Sequence, residues 1–158
     1  VLRRVEIGGL VISSDPEDAL ISYALGSCLG LAIYDPVLRL GGLIHSKVPI
    51  ARQARPEMEG GPAVCADQGT MALLQRLLDQ GAQKERLIVT IAGCGNPVQA
   101  ITHDIGRRNH MIARKILWKN GLFVHAEDVF GPKPRTMQIG IGTGEVTVKS
   151  QGETIRLY

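Results

Sequence analysis

The sequence predicts an α+β fold with mixed or antiparallel β-sheets and at least two main helices. Strand-like apolar runs dominate both ends of the chain, and two segments with helical spacing lie between them. The chain has 158 residues, which fits a single domain spanning 1–158. A chain of that size buries roughly 70% of its unfolded surface, so it folds without a metal or disulfide staple.

The first third reads as β structure. "VEIGGLVIS" offers short apolar stretches broken by Gly8-Gly9, and "LGLAIYD" and "LGGLIHSKV" are two apolar runs around "DPVL". The charged stretch "ARQARPEMEGG", Ala51 to Gly61, is a loop of the kind that borders binding sites. Pro62 opens a helical pattern with Met71, Leu74, Leu77 and Leu78 on one stripe and Gly81 in the stop position. "RLIVTIAG" is a strand. Asp104 is the expected N-cap of a second helix, with Ile105, Ile112 and Ile116 as its stripe and Gly121 past its end. "LFVHAEDV" is another strand, and the tail reads as a hairpin around Thr143-Gly144 followed by a last strand.

Composition removes several function classes. Lys and Arg number 18 against 15 Asp and Glu, a scattered +3, and aromatic residues make up 4%. That is too little charge and too few stacking platforms for nucleic acid. No apolar run approaches the ~18 residues of a membrane span, so no membrane insertion is expected. Cys28, Cys65 and Cys94 form an odd set without C-x-x-C spacing, which points to a reducing, cytoplasmic setting rather than a disulfide framework. His103, His110 and Cys94 fit no standard zinc spacing, and "GIGTG" from Gly140 lacks the Lys-Ser/Thr of a phosphate loop. Cys65 and Cys94 are read as structural.

The chemistry concentrates in Ser22–Pro49. Asp35-Pro36-Val37-Leu38 has the residues favoured in a type I turn, and pairing Asp35 with Leu38 sets Cys28 opposite His45. A thiol beside an imidazole is a nucleophile beside its base. Gly26 is expected to free the backbone so that N–H groups around Ser27 and Cys28 share one concavity, fit for an oxyanion. A third group must orient the imidazole, and Ser22 is one of several candidates. The same residues also suit a core, since cysteine packs as a small hydrophobe. Asn109, on the second helix, fits an ordinary helix-surface or packing role.

"LGSCLGLAIYDP", "GGLIHSKVP", "IGRRNHMIARKILWKNGL", "AEDV" and "TGEVTVK" resemble, in order, segments of the chemoreceptor glutamine deamidase family, CheD. The resemblance implies a layered α/β sandwich similar to the catalytic core of cytotoxic necrotizing factors. It implies a cytoplasmic bacterial chemotaxis protein that hydrolyses glutamine side-chain amides in chemoreceptors, and that can bind a CheC-type phosphatase. By position, the resemblance implies that Cys28 matches the nucleophile and His45 the base, and that Ser22 stands where the family commonly has a threonine that completes the triad. No cofactor is implied. The chain departs from the family pattern at Cys65, at Cys94-Gly95-Asn96 and around Phe130-Gly131. Two other functions stay open at this point: a non-catalytic adaptor that binds receptors or the phosphatase, and a cysteine hydrolase acting on another amide or ester.

Overall fold

Among the described residues, two five-stranded sheets and two α-helices stack in three layers. A computed structural model describes residues 1–51 and 60–158; most of the charged stretch Ala51–Gly61 therefore lies outside the described residues. In chain order the elements begin with β1 (Leu2–Arg4), β2 (Leu10–Ser13), β3 (Ala19–Leu25), β4 (Leu29–Asp35) and β5 (Leu40–Ser46). Then come α1 (Ala66–Asp79), β6 (Ile88–Gly93), α2 (Ile105–Lys119) and β7 (Ala126–Val129). The chain closes with β8 (Arg135–Gly140), β9 (Val146–Ser150) and β10 (Glu153–Arg156).

The middle layer has the order β2-β5-β4-β6-β7, and the outer sheet β1-β3-β8-β9-β10. β1–β3 and β6–β7 pair in parallel and the other neighbours are antiparallel. The fold is thus α+β with mixed sheets, as the element pattern predicts. β4 and β5 are buried along their whole length because both faces are covered. That is why they read as unbroken apolar runs rather than alternating ones. Leu29, Leu31, Ile33 and Ile44 face α1 and α2, whereas Ala32, Tyr34 and Leu43 face Leu20, Met137 and Ile139 of the outer sheet.

Both helices differ in detail from their sequence patterns. α1 starts at Ala66, not Pro62, because the preceding residues pair with the chain after β5. The N–H groups of Lys47 and Val48 donate to the Val64 carbonyl at 2.9 and 3.1 Å, and Ala66 N–H donates to Val48 at 2.8 Å. Its buried stripe uses Leu73, Leu74 and Leu77, and Met71 is exposed. α2 is capped by Asp104, whose carboxylate accepts the Arg107 N–H at 3.1 Å. Its buried face is Gly106, Asn109, Ala113 and Leu117, one position round from the Ile105, Ile112 and Ile116 stripe. Small residues face the sheet because α2 lies close to it: a Cβ on Gly106 would collide with the carbonyl of Gly95.

Candidate active site

The bend Gly26-Ser27-Cys28 joins β3 to β4, which changes the chain from the outer sheet to the middle one. The left-handed residue that precedes it is Ala24, with φ 56, where β3 bulges; Gly26 is not a positive-φ residue. The expected reason for glycine at that position is therefore corrected. The bend is clamped to the chain after β6, with Cys94 N–H donating to the Cys28 carbonyl and Gly95 N–H to the Gly26 carbonyl, both at 2.8 Å. Gly93, with φ 93, lies so close to the Cys28 carbonyl that no side chain would fit there. The N–H groups of Ser27 and Cys28 donate to no described residue. Two adjacent free donors at a half-exposed bend are what a developing oxyanion needs.

The hairpin register is corrected by two residues. Asp35 pairs with Leu40, and His45 lies opposite Gly30, not opposite Cys28. A four-residue loop with Arg39 in the left-handed region, φ 50, replaces the two-residue type I turn, whose twist would splay the strands. Asp35 shapes this loop by accepting the N–H groups of Val37 and Leu38 at 3.0 and 3.2 Å. A shift of two residues preserves the face. Cys28 packs against the cluster between the two sheets, and His45 reaches toward the outer-sheet side to Val5, so the pair sits diagonally across one face of the middle sheet. Cys28 and His45 make no hydrogen bond to each other in this state.

His45 is buried at 3% exposure and held from both sides. Its N–H donates to Gly9 at 3.2 Å and its carbonyl accepts from Gly8 at 2.8 Å. Nδ1 lies 3.4 Å from the Val5 carbonyl. A carbonyl only accepts, so Nδ1 carries the proton and Nε2 is left with its lone pair. Nε2 is buried without a hydrogen-bond partner among the described residues. Burial holds the His45 pKa below its ordinary value, outweighing the Val5 carbonyl and Glu6. Burial also pushes the Cys28 thiol up, with Lys47 pulling it partly back. Burial thus favours the neutral form of both groups, a thiol at Cys28 and an imidazole at His45.

Ser22 is fully buried, and its Oγ–H donates to the Val5 carbonyl at 2.8 Å. It makes no hydrogen bond to the imidazole; both groups share the Val5 carbonyl as acceptor. That backbone carbonyl is the group sequence reasoning missed, and a main-chain oxygen leaves no residue-type signal. A second omission is the strength of Asn109, whose Nδ2 donates to Ser27 at 3.0 Å and Lys47 at 3.3 Å. Its signal was a polar residue on the spacing of Gly106, Ala113 and Leu117.

Cys65 and Cys94 are buried, and burial pushes both thiols up. His103 precedes α2 and is exposed, whereas His110 Nε2 meets Glu127 at 2.9 Å, so the two share no helix face. No group of three or more His, Cys, Asp or Glu among the described residues is placed to hold a metal ion. A cleft of about 500 Å³ beside the bend is lined by Cys94-Gly95-Asn96, Arg107 and Phe130-Gly131, which gathers the two departing loops on one surface. Arg135, 2% exposed at its side chain, braces that surface by donating to the Phe130 carbonyl at 2.7 Å and pairing with Asp128.

The family model for CheD, "CheD chemotactic sensory transduction", matches residues 48–150. The chain belongs to the CheD family. "Probable chemoreceptor glutamine deamidase CheD 1" of Syntrophus aciditrophicus is 37% identical over 153 residues, 96% of each chain. "Probable chemoreceptor glutamine deamidase CheD" of Solibacter usitatus is 39% identical over 140 residues, 87% of this chain and 82% of its own. "Probable chemoreceptor glutamine deamidase CheD 2" of Anaeromyxobacter dehalogenans is 38% identical over 150 residues, 94% of each. Ser22, Cys28 and His45 precede the span of the family model, while the relatives match over most of the chain. Among solved structures, the Bacillus licheniformis hypothetical protein YfiH has TM-score 0.51 at 12% identity, covering 76% of this chain and 49% of its own. That likeness concerns the fold alone. No helix among the described residues is long and apolar enough to cross a membrane.

Proposed function

We propose that this CheD-family chain, residues 1–158 acting as one domain, is a cytoplasmic chemoreceptor glutamine deamidase with Cys28 as nucleophile and His45 as base. The relatives' names supply the substrate class. The observation that carries the chemistry is Nε2 of His45, unpartnered among the described residues and buried on the sheet face it shares with Cys28.

The steps follow from these groups. As the glutamine carboxamide enters, the Cys28 proton passes to His45 Nε2 and sulfur bonds the amide carbon. The carbonyl oxygen gains the electron pair and is met by the Ser27 and Cys28 N–H groups. The imidazolium, stabilised by its Nδ1–H bond to Val5, returns its proton to the amide nitrogen. The C–N bond breaks, ammonia leaves, and a thioester remains on Cys28. Water then gives a proton to Nε2 and attacks the thioester, the C–S bond breaks, and the thiolate takes the proton back. The sum is glutamine plus water to glutamate plus ammonia, with no cofactor entering. A CheC-type phosphatase belongs to the same proposal as a second protein partner.

The test is incubation of a folded receptor cytoplasmic fragment with the wild-type chain, followed by ammonia assay and site-resolved mass spectrometry. Ammonia in equal amount to new glutamate at particular glutamines is expected. Binding without conversion would leave the adaptor reading in its place.

A further inference from the structure

We infer that Asn109 is a positioning residue that aims the Cys28 N–H at the oxyanion. The inference rests on the deamidase reading above and concerns the same site. Asn109 is fully buried on the face of α2 that meets the middle sheet. Its Nδ2 donates to the Ser27 carbonyl at 3.0 Å and to the Lys47 carbonyl at 3.3 Å. Two acceptors require the NH₂ end of the amide, because the flipped rotamer would set Oδ1 against both oxygens. One side chain thus ties the nucleophile's bend to the segment just after the base-bearing strand.

The Ser27 carbonyl belongs to the same peptide group as the Cys28 N–H. That group is planar and trans, as are all peptide bonds among the described residues. Its C=O and N–H therefore point in opposite directions. With the carbonyl held toward α2, the Cys28 N–H is turned away from the helix layer, toward the side of the sheet where His45 reaches Val5. This donor has no partner among the described residues. Preorganised donors help most because they need no reorientation when charge develops.

The experiment compares wild type, Asn109→Ala and the isosteric Asn109→Asp. It reads kcat and KM on the receptor fragment, the rate of Cys28 alkylation by iodoacetamide, and the melting temperature. Alkylation passes through no oxyanion, so it reports the thiol and the fold without the hole. Both variants are expected to lose on the order of 10²-fold in kcat, as for a lost oxyanion donor, with KM and alkylation each within about three-fold of wild type. Asn109→Asp keeps the packing, so its loss separates donation from volume. A kcat within about three-fold of wild type in both variants overturns the inference, as does a fall in alkylation that matches the fall in kcat. If wild type converts no glutamine while Cys28 alkylates normally, the deamidase reading fails and takes this inference with it.

Discussion

Ser22→Ala separates two ways of orienting the imidazole. The substitution removes one buried hydroxyl that donates to the Val5 carbonyl at 2.8 Å. Val5 keeps the His45 Nδ1–H at 3.4 Å and its own N–H bond to Ile21 at 2.8 Å. The carbonyl is therefore still satisfied, and the loss is one ordinary hydrogen bond, about 1 kcal/mol. For a domain of this size that lowers the melting temperature by about 2–4 °C. If all of it were felt in the transition state, the rate would fall about five-fold. Loss of an orienting group bonded directly to the imidazole costs about 10⁴-fold. The assay pairs calorimetry with kcat for receptor deamidation, with Ser22→Thr as the hydroxyl-retaining control. A kcat loss of about 10³-fold or more in a folded Ser22→Ala protein would refute the shared-carbonyl arrangement and make Ser22 a direct partner of His45.

Other consequences follow from single contacts. Burial lowers the His45 pKa, so the acid limb of kcat/KM is expected below the ordinary histidine value of 6.5, and a limb at or above it contradicts a buried base. The same shift means the unfolded chain binds the extra proton, so His45 favours folding above pH 6.5 and that contribution is lost as pH falls through the folded value; urea midpoints of wild type and His45→Gln should converge with acidification. Arg86→Ala strands the fully buried Asp35, to which Arg86 Nε donates at 2.7 Å, and should cost about 3 kcal/mol by urea titration, whereas a change under about 1 kcal/mol would show the three backbone N–H donors to be sufficient. Gly106→Ala forces a methyl onto the Gly95 carbonyl beneath the bend and should cost about 1–3 kcal/mol together with activity, while an unchanged Tm and rate would contradict the close packing of α2.

The α+β class and the Asp104 cap were legible because apolar runs, N-caps and stop glycines are local signals. The hairpin register was not. Pairing Asp35 with Leu38 assumes a two-residue turn, whereas the loop has four residues, with Arg39 in the left-handed region. The face survived the error because two residues restore parity, so Cys28 and His45 were still recognised as sharing one side of a sheet. The segment carrying Ser22 was harder. β1 pairs with β3 in parallel across a long separation, and no local pattern announces that Val5 will lie over His45. Asn109 was readable only as a polar residue on a helix; that it faces inward follows from its place on the buried stripe with Gly106, Ala113 and Leu117, of which Gly106 and Ala113 are small because α2 lies close. Gly26 does not take the left-handed backbone that its residue type suggests; the positive φ lies at Ala24, in the β3 bulge.

The measurement closest to the central claim is site-resolved mass spectrometry of a folded receptor fragment incubated with wild type or Cys28→Ala, each first shown to be folded. Conversion of particular glutamines to glutamate by wild type, and none by Cys28→Ala, is the result expected of a Cys28 nucleophile. Conversion by Cys28→Ala at a rate comparable to wild type would contradict it and move the chemistry to another residue.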